Sequence, residues 1–126
     1  MVKNNKKVSK ASDLIENIQK RDGSIVPFNI EKVINAIYKA MLSVNEGSDV
    51  EAAMVANKVV ADLVRISKKH PNFMPTVEGI QNSVEKELML SEYINTAKSY
   101  ILYREKRSHL REAGIKVPEK VAKLAT

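Results

Sequence analysis

The chain has 126 residues, enough for one compact domain that hides about two-thirds of the surface its unfolded form exposes, and too few for two. Hydrophobic residues make up 44% and charged residues 29%, which excludes a disordered polar chain; no stretch approaches the roughly 20 apolar residues of a spanning helix, and Met1 to Lys7 lacks a signal-type apolar segment, so a cytoplasmic setting without membrane is expected. The absence of cysteine excludes disulfides, thiolate metal sites and thiol catalysis in this segment, while a net charge of +6, with its excess at both ends, favours a polyanionic partner: nucleic acid, acidic lipid or a nucleoside triphosphate.

Residues 1–14, rich in Lys, Asn and Ser, read as a flexible basic leader. From Ile15 to Phe28, two short apolar-containing runs flank Asp22-Gly23, a dipeptide that supplies the positive backbone angles of a tight hairpin turn. Pro27 has no N–H for a strand ladder and belongs at an edge or strand end. At Asn29 the period changes to helical: Asn29 caps, Glu31 suits the first turn, and Val33, Ile37, Ala40, Met41 and Val44 form an apolar stripe.

Asn45 to Asp49 then provides a stop and a fresh cap, and Ala52, Ala56, Val59, Leu63 and Ile66 mark the seam of a second helix running to about Lys69. Pro71 and Pro75 interrupt the helical pattern, and Phe73-Met74 between them is expected to add a short third strand to the hairpin. Thr76 caps a third helix carrying Val77, Ile80, Val84 and Leu88; Ser91 is expected to cap a fourth carrying Tyr93, Ala97, Tyr100, Ile101 and Leu110, ended by Gly114 and Pro118. The expected fold class is α+β: a small three-stranded sheet, hairpin plus one short strand, covering a four-helix bundle over residues 15–112, with residues 113–126 a linker or the start of a following domain.

For catalysis the inventory is thin. His70 and His109 each sit in a polar setting outside any metal-ligand spacing, and Glu85 and Glu87 read as members of a solvated face rather than as a general acid–base pair. Phosphate binding is better supported. Lys20 and Arg21 adjoin the tight turn, and Lys32 falls in the first turn of a helix whose free N–H groups also favour an anion.

The combination of motifs is more specific than any of them alone. Ile18 to Gly23, followed by Phe28-Asn29, Lys32-Val33 and Ala36-Ile37, resembles the opening hairpin and first helix of the ATP-cone family, the nucleotide-sensing module found mostly in ribonucleotide reductases. Thr76 to Glu85 resembles the family's middle helix and Ala97 to Arg107 its closing helix, in the same order and spacing.

The resemblance implies a non-catalytic regulatory domain that binds ATP or dATP, with Mg2+, between sheet and helices. Lys20, Arg21, Lys32 and Lys106 would hold the phosphates, Lys106 ranking ahead of Arg107. Ile18, Phe28 and Val33 would enclose the base, and Asn29 would bond its edge; Ile18 and Val33 equally suit a plain core. Thr76, Ile80 and Gln81 would approach the sugar and phosphates, and Tyr103, which equally suits the core, would close the site. Val26 stands where some members place a carboxylate that recognises the adenine amino group, which transfers base selection to Asn29 and the backbone. The implied partners are the adenine nucleotide and a reductase catalytic domain in the same chain, with dATP-dependent changes in subunit assembly. Two other readings predict different behaviour: a nucleic-acid-associated regulator would bind DNA in a steeply salt-dependent way, and a plain helical interaction domain would ignore nucleotides.

Overall fold

The computed structural model describes residues 14–114; the expected leader before Leu14 and the expected linker after Gly114 lie outside the described residues. Strands β1 (Asn17–Gln19) and β2 (Ile25–Pro27) pair antiparallel, with Asn17 opposite Pro27, Ile18 opposite Val26 and Gln19 opposite Ile25. Pro27 closes the second strand, where its missing N–H costs no central ladder bond. The turn is longer than a two-residue hairpin. Lys20 N–H donates to Ser24 O at 2.8 Å and Gly23 N–H to Lys20 O at 2.9 Å. Only Gly23 carries a positive φ, of 92°, while Asp22 accepts from the Ser24 N–H at 2.9 Å and hydroxyl at 2.7 Å. This is a type I turn followed by a glycine bulge, a standard three-residue hairpin loop.

Four helices follow among the described residues: α1 (Ile30–Ser43), α2 (Asp49–Lys69), α3 (Val77–Leu90) and α4 (Ile94–Glu112). Asn29, Ser48 and Thr76 cap the first three, accepting from the N–H groups of Glu31, Glu51 and Gly79. The principal packing contacts run α1 to α2, α2 to α3, α3 to α4 and α4 back to α1, so that each helix buries a stripe against two others. Ile37, Met41, Val55, Val59, Val60, Val84 and Leu88 are fully buried in that shared interior, each worth roughly 1.5–3 kcal/mol as area removed from water. Ala36 and Ala40 on α1 and Ala52 and Ala56 on α2 keep the buried stripes shallow enough for close approach. Ile66, expected on the α2 seam, is instead 39% exposed near the helix end. No helix among the described residues is long and apolar enough to cross a membrane.

Two expected elements differ. The third strand is absent among the described residues: a single parallel bridge joins Gln19 to Thr76, with Gln19 N–H donating to Pro75 O at 2.8 Å. Phe73 is already turned, its N–H donating to His70 O at 2.8 Å, and α3 begins at Val77, so no length remains for a ladder. Pro75 also lacks the N–H that would extend one. Ser91 closes α3 rather than capping α4, and its hydroxyl accepts from Lys58 Nζ at 3.0 Å. The start of α4 is satisfied from a distance in sequence. Glu46 Oε1 accepts both the N–H and the hydroxyl of Thr96 at 2.7 Å each.

Candidate functional site

The hairpin, the segment joining it to α1 and the inner faces of α3 and α4 enclose a cavity of about 390 Å³, within the size range of small-molecule sites. Cross-strand partners Ile18 and Val26 line it together, as same-face residues of a two-stranded pair must. Phe28 and Asn29 form the next wall, held by the Phe28 N–H bond to Glu16 O at 2.9 Å. Val33, Ile80, Gln81 and Tyr100, all buried, make the floor. Burial pushes the Tyr100 phenol well above its ordinary range, so it stays a neutral wall. Lys20 and Lys32 supply two cations at the rim of an otherwise largely apolar pocket. Asn29 Oδ1 is committed to capping α1, accepting from Glu31 N–H at 2.9 Å, which leaves the amide nitrogen as the side chain's remaining polar group.

A second concavity adjoins the first, also about 390 Å³, sharing Lys20 and Val77 with it and reaching Arg21, Gly23, Thr76 and Glu78. Its borders include the start of α3, where Thr76 Oγ1 accepts from Gly79 N–H at 2.9 Å. Two helix N-termini therefore face the same region, those of α1 and α3, each with free backbone donors suited to an anion.

Of the residues expected at the site, Ile18, Lys20, Val26, Phe28, Asn29, Lys32, Val33, Ile80 and Gln81 come together in the first cavity, and Arg21 and Thr76 in the second. Tyr103 and Lys106 do not join them. They line a separate concavity of about 540 Å³ between the end of α1 and α4, with Ser43, Ser99 and Leu102. Helix geometry gives the reason: at about 100° per residue, the face of Tyr100 continues through Arg104, Arg107 and Arg111, whereas position 106 turns away from it. Of the two neighbours, Arg107 and not the higher-ranked Lys106 shares the Tyr100 face of α4.

Tyr100, Pro27 and Val77 in the wall, and Glu78 with its partner Arg104 beside it, were not among the residues expected at the site. The spacing Tyr100, Arg104, Arg107, Arg111 was the available signal, because the core stripe of α4 runs straight on into guanidinium groups. Arg104 is fixed by three neighbours on α3: its Nη1 donates to Glu85 Oε2 at 2.6 Å and Asn82 Oδ1 at 2.8 Å, and its Nη2 to Glu78 Oε1 at 2.9 Å. Arg21 pairs with the other oxygen of Glu78. Burial, then the charges of Arg111 and Arg21, hold the Arg107 guanidinium below the ordinary arginine range, and its buried Nε–H donates to no atom among the described residues. His70 ends α2 and His109 lies exposed on α4, 3.9 Å from Glu112; neither lines the cavity.

Comparison with known proteins agrees with this architecture. The ATP cone domain family matches residues 16–109. The vitamin B12-dependent ribonucleoside-diphosphate reductase of Thermoplasma acidophilum is 48% identical over 104 residues, covering 79% of this chain and 13% of that protein. The anaerobic ribonucleoside-triphosphate reductase of Haemophilus influenzae is 37% identical over 93 residues, covering 74% of this chain and 13% of that protein. The ribonucleoside-diphosphate reductase subunit alpha of Chlamydia pneumoniae is 34% identical over 98 residues, covering 75% of this chain and 9% of that protein. The chain thus spans about an eighth or less of the length of these relatives, and by the family match over most of its length it belongs to the ATP-cone domain family.

Proposed function

We propose that this chain is the allosteric nucleotide-sensing domain of a ribonucleotide reductase, binding ATP or dATP and passing the signal to a catalytic domain through changes in subunit assembly. The observation that carries the reading is the cavity under the hairpin, where an apolar slot of Ile18, Phe28, Val33 and Ile80 opens beside Lys20 and Lys32. The base fits the slot, with Asn29 and backbone groups addressing its edge because Val26 has no polar group to offer. The polyphosphate fits the adjoining concavity, where Lys20, Arg21 and the N-terminus of α3 converge. Arg107, with a buried donor awaiting an acceptor, extends that cationic wall from α4. Mg2+ would accompany the triphosphate, held by phosphate oxygens and water rather than by a protein cage.

Regulation by such a domain is a matter of linkage. ATP and dATP differ by one hydroxyl, and each shifts assembly only by its differential affinity for the two states. Gln81 and Thr76, beside the cavities and on the second turn and the cap of α3, are the side chains suited to sense the sugar. The domain itself is a regulator and not a catalyst.

Titration calorimetry with ATP and dATP tests the reading. Saturable binding is expected, with thermal stabilisation of about 2.7 kcal/mol at a hundred times the dissociation constant. The double substitution Lys20→Ala and Arg21→Ala is expected to abolish it while the helical circular dichroism is retained. A folded wild-type chain that binds neither nucleotide at millimolar concentration would overturn the reading.

A further inference from the structure

The cationic wall beside the cavity already contains an anion of its own. Arg21 on the hairpin turn and Arg104 on α4 converge on the two oxygens of one carboxylate, Glu78, in the first turn of α3. Arg104 has a second carboxylate, Glu85, and the Asn82 amide, so it stays anchored without Glu78. Arg21 has no ion pair other than Glu78 among the described residues, and it is half exposed at the rim of the concavity that Lys20, Gly23 and Thr76 also line.

The surrounding charge is unbalanced. Arg21, Arg104, Arg107 and Arg111 lie close enough to influence one another, while among the described residues the carboxylates paired into them are Glu78 and Glu85, with Glu112 acting on Arg21 from a greater distance. Arg107 keeps a buried Nε–H without an acceptor among the described residues. The arrangement holds more positive charge than its own carboxylates neutralise, and a polyphosphate supplies what is missing. Burial of a second anion next to Glu78 is unfavourable, so the incoming phosphate and Glu78 compete for the same guanidinium.

We propose that Glu78 is a built-in competitor for the polyphosphate of the nucleotide: it holds Arg21 against α3 in the unliganded domain and must release it when phosphate binds. This deepens the nucleotide-sensing reading and rests on it. Arg104 remains on Glu85 and Asn82, so the exchange loosens the hairpin turn from α3 while α4 keeps its anchor. Glu78 therefore sets the affinity for the phosphate chain and leaves the base slot unaffected, which makes it an affinity-limiting residue rather than a ligand.

The test compares wild type, Glu78→Gln, Glu78→Ala and Glu31→Gln by calorimetry with ATP, adenosine and inorganic tripolyphosphate, with thermal melts to verify folding. Glu31 is the control, a first-turn carboxylate on α1 that makes the same change in net charge without an arginine partner among the described residues. Both Glu78 variants are expected to bind ATP and tripolyphosphate about tenfold more tightly than wild type, with adenosine affinity unchanged and Glu31→Gln within about twofold. If ATP binds the wild type but the folded Glu78 variants bind it no more tightly, or if Glu31→Gln produces an equal gain, the competitor role is overturned while the nucleotide site stands. If no protein in the set binds ATP, the nucleotide reading falls and the competitor role with it.

Discussion

Asp62 on α2 and Glu87 on α3 place two carboxyl groups in one buried position between helices, with Lys86 Nζ 3.1 Å from Asp62 and Arg65 Nη2 2.6 Å from it. Burial disfavours ionisation of Asp62, but hydrogen bonds from Glu87, Arg65 and Lys86 outweigh it and hold the carboxyl at about 2. Glu87 is pushed the other way, first by its hydrogen bond to Asp62, then by burial and the Asp62 charge. The signs differ accordingly. Stability from Asp62 is present above the ordinary carboxylate pKa and lost as pH falls through about 2, whereas stability from protonated Glu87 is present at low pH and lost as pH rises through its elevated value. Glu87→Gln, which keeps a donor and removes the charge, is expected to raise the melting temperature by a few degrees at pH 8 and to change it little at pH 4, checked by thermal unfolding at both. Equal shifts at the two pH values would contradict the shared-proton arrangement. None of this was visible in sequence, where Glu87 reads as one charge on a solvated face; its burial depends on which side of α3 meets α2. The same limit applied to Lys106 and Arg107, adjacent cations whose directions are set by the phase of α4.

At the scale of elements, local chemistry was sufficient wherever the partner lies within a turn. Asn29, Ser48 and Thr76 were readable as caps because each satisfies an N–H two or three residues on. The start of α4 was not, since its acceptor comes from Glu46, 50 positions earlier for the Thr96 bonds. Burial works against ionised Glu46, but the hydrogen bonds from Thr96 and Asn95 together outweigh it and hold the carboxyl below the ordinary range. Its contribution is present above that range and lost as pH falls through the lower folded value. Glu46→Ala is expected to cost about 1–2 kcal/mol at pH 7, read from urea denaturation, with the difference from wild type shrinking in acid. The neighbouring Gly47 has φ of 92°, and a Cβ there would stand 2.6 Å from Met41 Sδ. Gly47→Ala is therefore expected to destabilise by about 1–3 kcal/mol in the same assay, combining backbone strain with displacement of a fully buried methionine. The third strand failed for the opposite reason: the extended reading of Phe73-Met74 is locally sound, but the His70 turn and the early start of α3 leave only one bridge at Thr76.

At the scale of the molecule, the order of elements followed from apolar periodicity and turn residues, because a hairpin that precedes amphipathic helices has one apolar side to bury, whereas most of the cavity lining was named only through the resemblance to the ATP-cone family. What periodicity does not encode is which helix faces close the site: the spacing of Tyr100, Arg104 and Arg107 puts them on one side of α4, but only packing shows that this side, through Tyr100, meets the cavity. The proposed adenine-nucleotide site lies beneath the hairpin, between β1–β2 and the starts of α1 and α3. Backbone amide chemical-shift mapping during an ATP titration tests it most directly. Saturable shifts centred on Ile18, Lys20, Phe28, Asn29, Lys32, Ile80 and Gln81 are expected, with smaller ones at Arg107. Shifts confined instead to the concavity of Ser43, Ser99, Tyr103 and Lys106, or an unchanged spectrum at saturating ATP, would contradict it.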